Sequence, residues 1–168
     1  ELNLFGCPQT CLGGGISSTG MVALDRTTYG DGVNMVVTVR DLDLNLDPST
    51  ADSTVVTITC GADTETITLI ESGPSSAVFQ GTLPVVNGSA SSENDIVEAS
   101  HDDTILVTYI DADDGMGGTN VEVTASATAD FIGPEITNVS VTEVSEAGAI
   151  ITCDTSEAAS ATVYYGTT

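Results

Sequence analysis

Two short stretches hold the side chains best suited to chemistry: Asp41-Leu-Asp43-Leu-Asn45-Leu-Asp47 and Asp111-Ala-Asp113-Asp114-Gly115. A hard cation such as Ca²⁺ takes about six to eight oxygen ligands, and carboxylates crowded onto turns supply them. Each stretch follows an alternating apolar run, Val33–Val39 in one case and Ile105–Tyr109 in the other, so each is expected where a β-strand ends. Carboxylates gathered within about 5 Å raise one another's pKa and splay their loops unless a cation neutralises them. The spacing is not that of an EF-hand loop, which also needs a bidentate Glu. The competing reading is a solvated acidic rim that keeps the protein soluble.

Other reactive side chains are scarce. There is no lysine, which removes P-loop and Schiff-base chemistry. His101 is the single histidine; with no nucleophile and no second imidazole beside it in the sequence, it reads as a solvated loop residue. Carboxylates are plentiful enough for a two-acid glycosidase pair, but three Phe, four Tyr and no Trp are few to wall a sugar cleft. The expectation is a protein that is not an enzyme. Four cysteines, Cys7, Cys11, Cys60 and Cys153, form no C-x-x-C zinc or haem pattern, and their even number points to disulfides in an oxidising compartment. Cys7 and Cys11, with Pro8 between them, are close enough to bond to each other. Asn87-Gly-Ser89 and Asn138-Val-Ser140 are candidate glycosylation acceptors.

The elements that must position these residues read as β-structure. The 168 residues are 40% hydrophobic and rich in Val, Ile and Thr, unlike a disordered acidic chain. Strands are expected at 21–25, 33–40, 54–60, 64–70, 77–86, 103–110 and 119–129, with turn signals between them, the pattern of a sandwich over 21–132. Residues 1–20 stand apart: Leu2, Leu4 and Phe5, the Cys7–Cys11 loop, and a Gly-rich linker. The chain starts at Glu1 rather than Met, which suggests a processed or excised form. Gly133-Pro134 opens a further module over 133–168, with strands at 136–143, 149–153 and 161–165. With 25 acidic residues against two arginines, the net charge is −23, which repels phosphate backbones and excludes nucleic acid as a partner. No apolar run approaches the ~20 residues of a membrane-spanning helix.

The segments Leu24–Gly32, Asp41–Asp47, Thr66–Gly73, Val78–Thr82 and Asp103–Gly115 resemble an immunoglobulin-like repeat of large bacterial and archaeal surface and secreted proteins, over about residues 20 to 132. The segments Gly133–Val139, Ala149–Thr155 and Val163–Gly166 resemble the first half of a fibronectin type III module, although Cys153 stands where that family usually has a core Trp. The resemblance implies an all-β fold, an immunoglobulin-like β-sandwich followed by an incomplete fibronectin type III-like sandwich. In an immunoglobulin-like order, three loops share the end where the module begins. That brings Asp41, Asp43, Asn45, Asp47, Glu71, Asp111, Asp113 and Asp114 together as a candidate Ca²⁺ site at a module junction. It also sets Cys60 and Cys153 towards one junction, as a bonded pair or, if Cys153 points into its own core, as free thiols. Such modules imply a non-catalytic, extracellular, cell-surface structural protein: part of a fibre, sheath or adhesin. It would self-associate by strand addition, Leu2–Phe5 adding to the unfinished sandwich of another copy. The alternative is an accessory spacer of a large secreted enzyme such as a peptidase.

Overall fold

The structure, a computed structural model, describes residues 18–166. Cys7, Cys11 and the Leu2–Phe5 segment, on which a disulfide and a donated strand are expected, lie outside the described residues. The chain divides after Phe131 into two units, and among the described residues all regular structure is β.

In the first unit, alternation of apolar and polar residues sets both the strands and their inward faces. Strand β1 spans Met21–Leu24, β2 Thr28–Tyr29, β3 Val33–Arg40, β4 Ser53–Cys60 and β5 Asp63–Glu71. Strand β6 spans Val78–Asn87, β7 Val97–Ala99, β8 Thr104–Asp113 and β9 Thr119–Ala129. Met35, Val37 and Val39 of β3, Leu83 and Val85 of β6, and Ile105 and Val107 of β8 are buried in one core around Phe79 and Tyr29. The strands pair in the order β1-β3-β6-β5-β4-β8-β9-β2, with β7 parallel to β6. β5 and β6 share only the pairs Ile70↔Gln80 and Glu71↔Phe79, against eight between β4 and β5. The fold is all-β and consistent with an immunoglobulin-like sandwich, in which β1-β3-β6 and β5-β4-β8-β9 correspond to its two sheets, joined at the short β5–β6 pairing.

Consecutive strands β1 and β2 end up at opposite ends of this path. The crossing is tied by Asp25, whose Oδ1 accepts the Tyr29 hydroxyl at 2.7 Å and the Val36 amide at 2.8 Å. Gly81 in β6 is where β5 side chains press closest. A Cβ there would stand 2.5 Å from Leu69 Cδ2 and 3.2 Å from Ile67 Cδ1.

The second unit has β10 (Ile136–Ser145) and β11 (Gly148–Thr155), an antiparallel hairpin exposed along its whole length. The third strand expected over 161–165 is not formed. Its alternation is short and follows the small residues Ala158–Ala161, which offer little to pack, and Val163, Tyr164 and Tyr165 stay exposed. Three further differences concern the first unit. The two- and three-residue strands β2 and β7 are too short to show a period, and β7 lies inside the expected 87–102 excursion. β8 runs on to Asp113, so Asp111 belongs to a strand rather than a loop.

Cys60 and Cys153 are free thiols, so the bond expected across the junction is not present. The physical reason on one side is clear: Cys60 closes the inward row of β4 behind Val56 and Ile58 and is 3% exposed. Burial, then the charges of Asp103 and Asp63, push its thiol up to about 11. Cys153 is exposed. Alkylation of the native, unreduced protein at pH 8 should therefore modify Cys153 and leave Cys60 intact until the chain is denatured. A Cys60–Cys153 peptide pair in a non-reducing map would contradict this.

Candidate metal centre

The inward row of β8 reads Ile105, Val107, Tyr109 and Asp111, and that of β3 reads Met35, Val37 and Val39, continuing to Asp41 just past the strand. Continued alternation therefore carries two carboxylates into the end of the core, where Asp41 is 3% and Asp111 0% exposed. Asp43, two residues beyond Asp41, completes a trio whose nearest carboxylate oxygens all lie within 4.8 Å of one another.

Each member is held by hydrogen bonds. The Tyr109 hydroxyl donates to Asp41 Oδ2 at 2.5 Å, and the Asp43 amide donates to Asp41 Oδ1 at 3.1 Å. Ser18 donates to Asp43 Oδ1 from both its amide and its hydroxyl, at 3.2 and 3.0 Å. Asp111 accepts the Gly20 amide at 2.7 Å and the Asp113 amide at 3.1 Å. The chain entering the first unit is thus fastened to two of the three acids. Gly20 is needed for this approach: a Cβ there would stand 2.7 Å from Tyr109 Cε1 and 3.0 Å from Asp41 Oδ2.

The electrostatics follow from burial without a countercharge. Burial, reinforced by the neighbouring Asp43, raises the Asp41 carboxyl to about 6. For Asp43, burial pulls upward, but the hydrogen bonds from Asp41 and Ser18 prevail and its pKa is lowered. The two behave as a carboxylic acid and a carboxylate sharing one proton. Burial, then the bond to Asp41, raises the Tyr109 phenol as well, so it stays a donor. Three carboxylates with only oxygen to offer suit a hard cation, with backbone carbonyls or waters making up the remaining ligands. A groove of about 270 Å³ lies alongside, lined by Ser18, Met21, Arg40, Asp41, Leu42 and Ala77 among others.

The five other expected ligands are not in this trio: the four acids accept hydrogen bonds elsewhere, and Asn45 Oδ1 is buried with no partner among the described residues. Glu71 accepts the amides of Asp52, Ser76 and Ala77 and so holds the turn after β5. Asp47 caps Ser49 and Thr50, whose hydrogen bonds lower its carboxyl to about 2. Asp113 accepts the Gly115 amide, and Asp114 those of Met116 and Gly118. Asn45 donates to the Ser75 hydroxyl. Sequence reasoning missed Ser18, Gly20 and Tyr109, and also Asp63 and Glu65, whose buried carboxylates at the start of β5 accept the amides of Glu98, Asn94 and Asp95. The alternation of β5 was the available signal, since it puts Asp63, Glu65, Ile67, Leu69 and Glu71 on one inward row.

His101 is not simply solvated. It is half-buried between Asp102 and Asp130, and its Nδ1 accepts the Phe131 amide at 3.3 Å. Both sequon asparagines are exposed, Asn87 ending β6 and Asn138 within β10, where its side-chain amide donates to Asp154. No protein-family model matches the chain, and no curated protein matches it.

Because Asp41 titrates above its ordinary 3.8 in the folded state, its contribution to stability is complete below about pH 4 and is lost as the pH rises through about 6. Asp41→Asn keeps a neutral group there at every pH. Calorimetry in EDTA should therefore find the variant gaining on the wild type as the pH goes from 4.5 to 7.5. A constant difference in melting temperature across that range would show that the Asp41 proton has no bearing on stability.

Proposed function

We propose that the protein is a non-catalytic, extracellular structural module of a cell-surface fibre, sheath or adhesin, stiffened by Ca²⁺ and joined to other copies in a larger assembly. The observation that carries this reading is the Asp41–Asp43–Asp111 trio, with Asp41 and Asp111 buried, bonded to the chain at Ser18 and Gly20. A cation bound there replaces the shared proton and removes the mutual repulsion of the three acids. It thereby tightens the seat of the segment that links this module to whatever precedes it. The strongly acidic composition fits the same role, since a fully ionised surface keeps modules apart except where contacts are made. The immunoglobulin-like order of the strands fits a repeat whose ends are its working parts. The resemblance of the second unit to a fibronectin type III module belongs to the same proposal.

Binding to the folded state alone adds RT ln(1 + [L]/Kd), about 2.7 kcal/mol at a hundredfold excess of ligand. For a unit of this size that is roughly 10 °C in Tm. Millimolar Ca²⁺ should produce such a rise and EDTA reverse it; coincident melting curves would remove the metal from the proposal.

Assembly is tested separately, by negative-stain electron microscopy of the native material. Filaments or sheaths of regular repeat are expected. Isolated particles attached to a catalytic domain would favour the spacer of a secreted enzyme instead.

A further inference from the structure

His101 sits in a turn that the end of β9 holds in place. The Ser100 carbonyl accepts the Asp103 amide at 3.1 Å and the Asp103 carboxylate accepts the Ser100 amide at 2.7 Å, so the turn is closed from both sides. It is laid against β9 by two further bonds, from the Asp102 amide to the Ala129 carbonyl at 2.8 Å and from the Ala129 amide to the Asp103 carbonyl at 2.9 Å. Asp102 has a left-handed φ of 67° there, which Asp tolerates better than most residues. The imidazole is thereby brought against Asp130 and Phe131, the two residues that follow β9.

One ring nitrogen meets two partners that it cannot serve at once. Nδ1 lies 3.3 Å from the Phe131 amide nitrogen, which donates to it, and 3.3 Å from Asp130 Oδ1. An imidazole nitrogen accepts a hydrogen bond only while it carries no proton, and in the imidazolium both nitrogens are donors. In the neutral ring, then, Nδ1 takes the Phe131 amide and the proton is on Nε2, 3.5 Å from Asp102 Oδ1. In the charged ring Nδ1–H donates to Asp130, and the Phe131 amide loses its acceptor. No rotation of the ring is needed, because both partners already stand at the same distance.

We propose that His101 is a pH-sensitive latch on the segment by which the chain leaves the first unit, holding the Phe131 amide when neutral and releasing it when protonated. The charged groups beside it are Asp102 and Asp103 on its own turn and Asp130 after β9. In the neighbouring elements, β8 carries no charge before Asp111, and Asp25 and Arg26 ahead of β2 pair with each other at 3.4 Å. Asp31 after β2 holds the Asn87 amide, and Glu98 of β7 holds the Ser91 amide and the Asn94 side chain. The protonated ring is therefore flanked by opposite charge on both sides and gains ion pairs as it gives up the amide. The release stays local. The Asp130 amide keeps its bond to the Tyr29 carbonyl at 2.8 Å, so β2 and β9 remain paired, and what loosens is Phe131, partly buried against the core. Imidazole is the side chain whose charge ordinarily changes between pH 5 and 8, which sets the range in which such a latch works.

Hydrogen–deuterium exchange of the full-length chain, read at single residues by mass spectrometry, tests the latch. Each rate is divided by that of an unstructured chain at the same pH, so that only protection is compared. From pH 8 to pH 5 the protection of the Phe131 amide should fall roughly 2–10-fold, the equivalent of one hydrogen bond. The Ala129 amide, bonded to a carbonyl, should keep its protection. Asp41 titrates in the same interval at the opposite end of β8, and a variant separates the two. His101→Gln has no group that changes charge in this range, so it should make Phe131 protection the same at both pH values. Unchanged protection of Phe131 in the wild type, a parallel loss at Ala129, or the same pH dependence in the variant overturns the proposal.

Discussion

The fold depends on hydrogen bonds from backbone amides to buried carboxylates. With two arginines for 25 acidic residues, ion pairs cannot neutralise the acids that alternation carries inward. At Glu71, Glu65 and Asp111 the solution is the same each time: two or more backbone amides donate to the carboxylate. Asp63, by contrast, has the Glu98 amide on Oδ2 and a buried Oδ1 with no partner among the described residues. A hydrogen bond to a charged group contributes about 1.5–3 kcal/mol, and losing the acceptor also leaves buried amides unpaired. The loops are therefore fixed from inside. β5 has an apolar centre, Ile67 and Leu69, and acids at both ends, so the same strand packs the core and ties the segments 72–77 and 93–98 to it.

Asp41 is the exception that makes the candidate site. Among the described residues, the amide that donates to it is that of Asp43, and it also meets the Tyr109 hydroxyl and the Asp43 carboxylate. An acid so placed holds a proton or faces a cation. Asp111 beside it has two amide donors and needs neither on its own account. The contrast within one trio, rather than the abundance of acid along the chain, marks this end of the unit.

Long strands were legible because five or more alternating residues leave little doubt about face and period, as in Val33–Val39 and Ile105–Tyr109. Where the reading failed, local pattern competed with distant pairing. Asp111 looked like the start of a loop because a carboxylate on an inward row is rare, yet the alternation that buries Tyr109 also buries Asp111. Of the eight expected ligands, Asp47, Asp113 and Asp114 bond to amides two to four residues ahead, a local option open to any Asp in a turn. Asp41, Asp43 and Asp111 meet because the inward rows of β3 and β8, strands that do not pair with each other, run into the same end of the core, which no local spacing encodes. The hairpin shows the same limit: Ile136, Val139, Val141 and Val144 are out of step with plain alternation, and β10 pairs with β11 only through register shifts near Asn138 and Glu143, which have positive φ.

The parallel pairing of β2 with β9 bears on how the first unit would carry tension. β2 follows the entry of the chain and β9 precedes its exit. They are joined in the same direction by Thr28↔Thr128 and Tyr29↔Ala129, flanked by bonds from the Thr128 amide to Thr27 and from the Asp130 amide to Tyr29. A pull on the two ends of the unit draws these strands past each other lengthwise, so the bonds share the load together instead of opening one after another. The antiparallel β1 lies ahead of them in the path of the force, and the crossing tied by Asp25 transmits it. A strand pair of two residues, too short to announce itself in the sequence, thus sits where a molecule under shear would need its strongest seam.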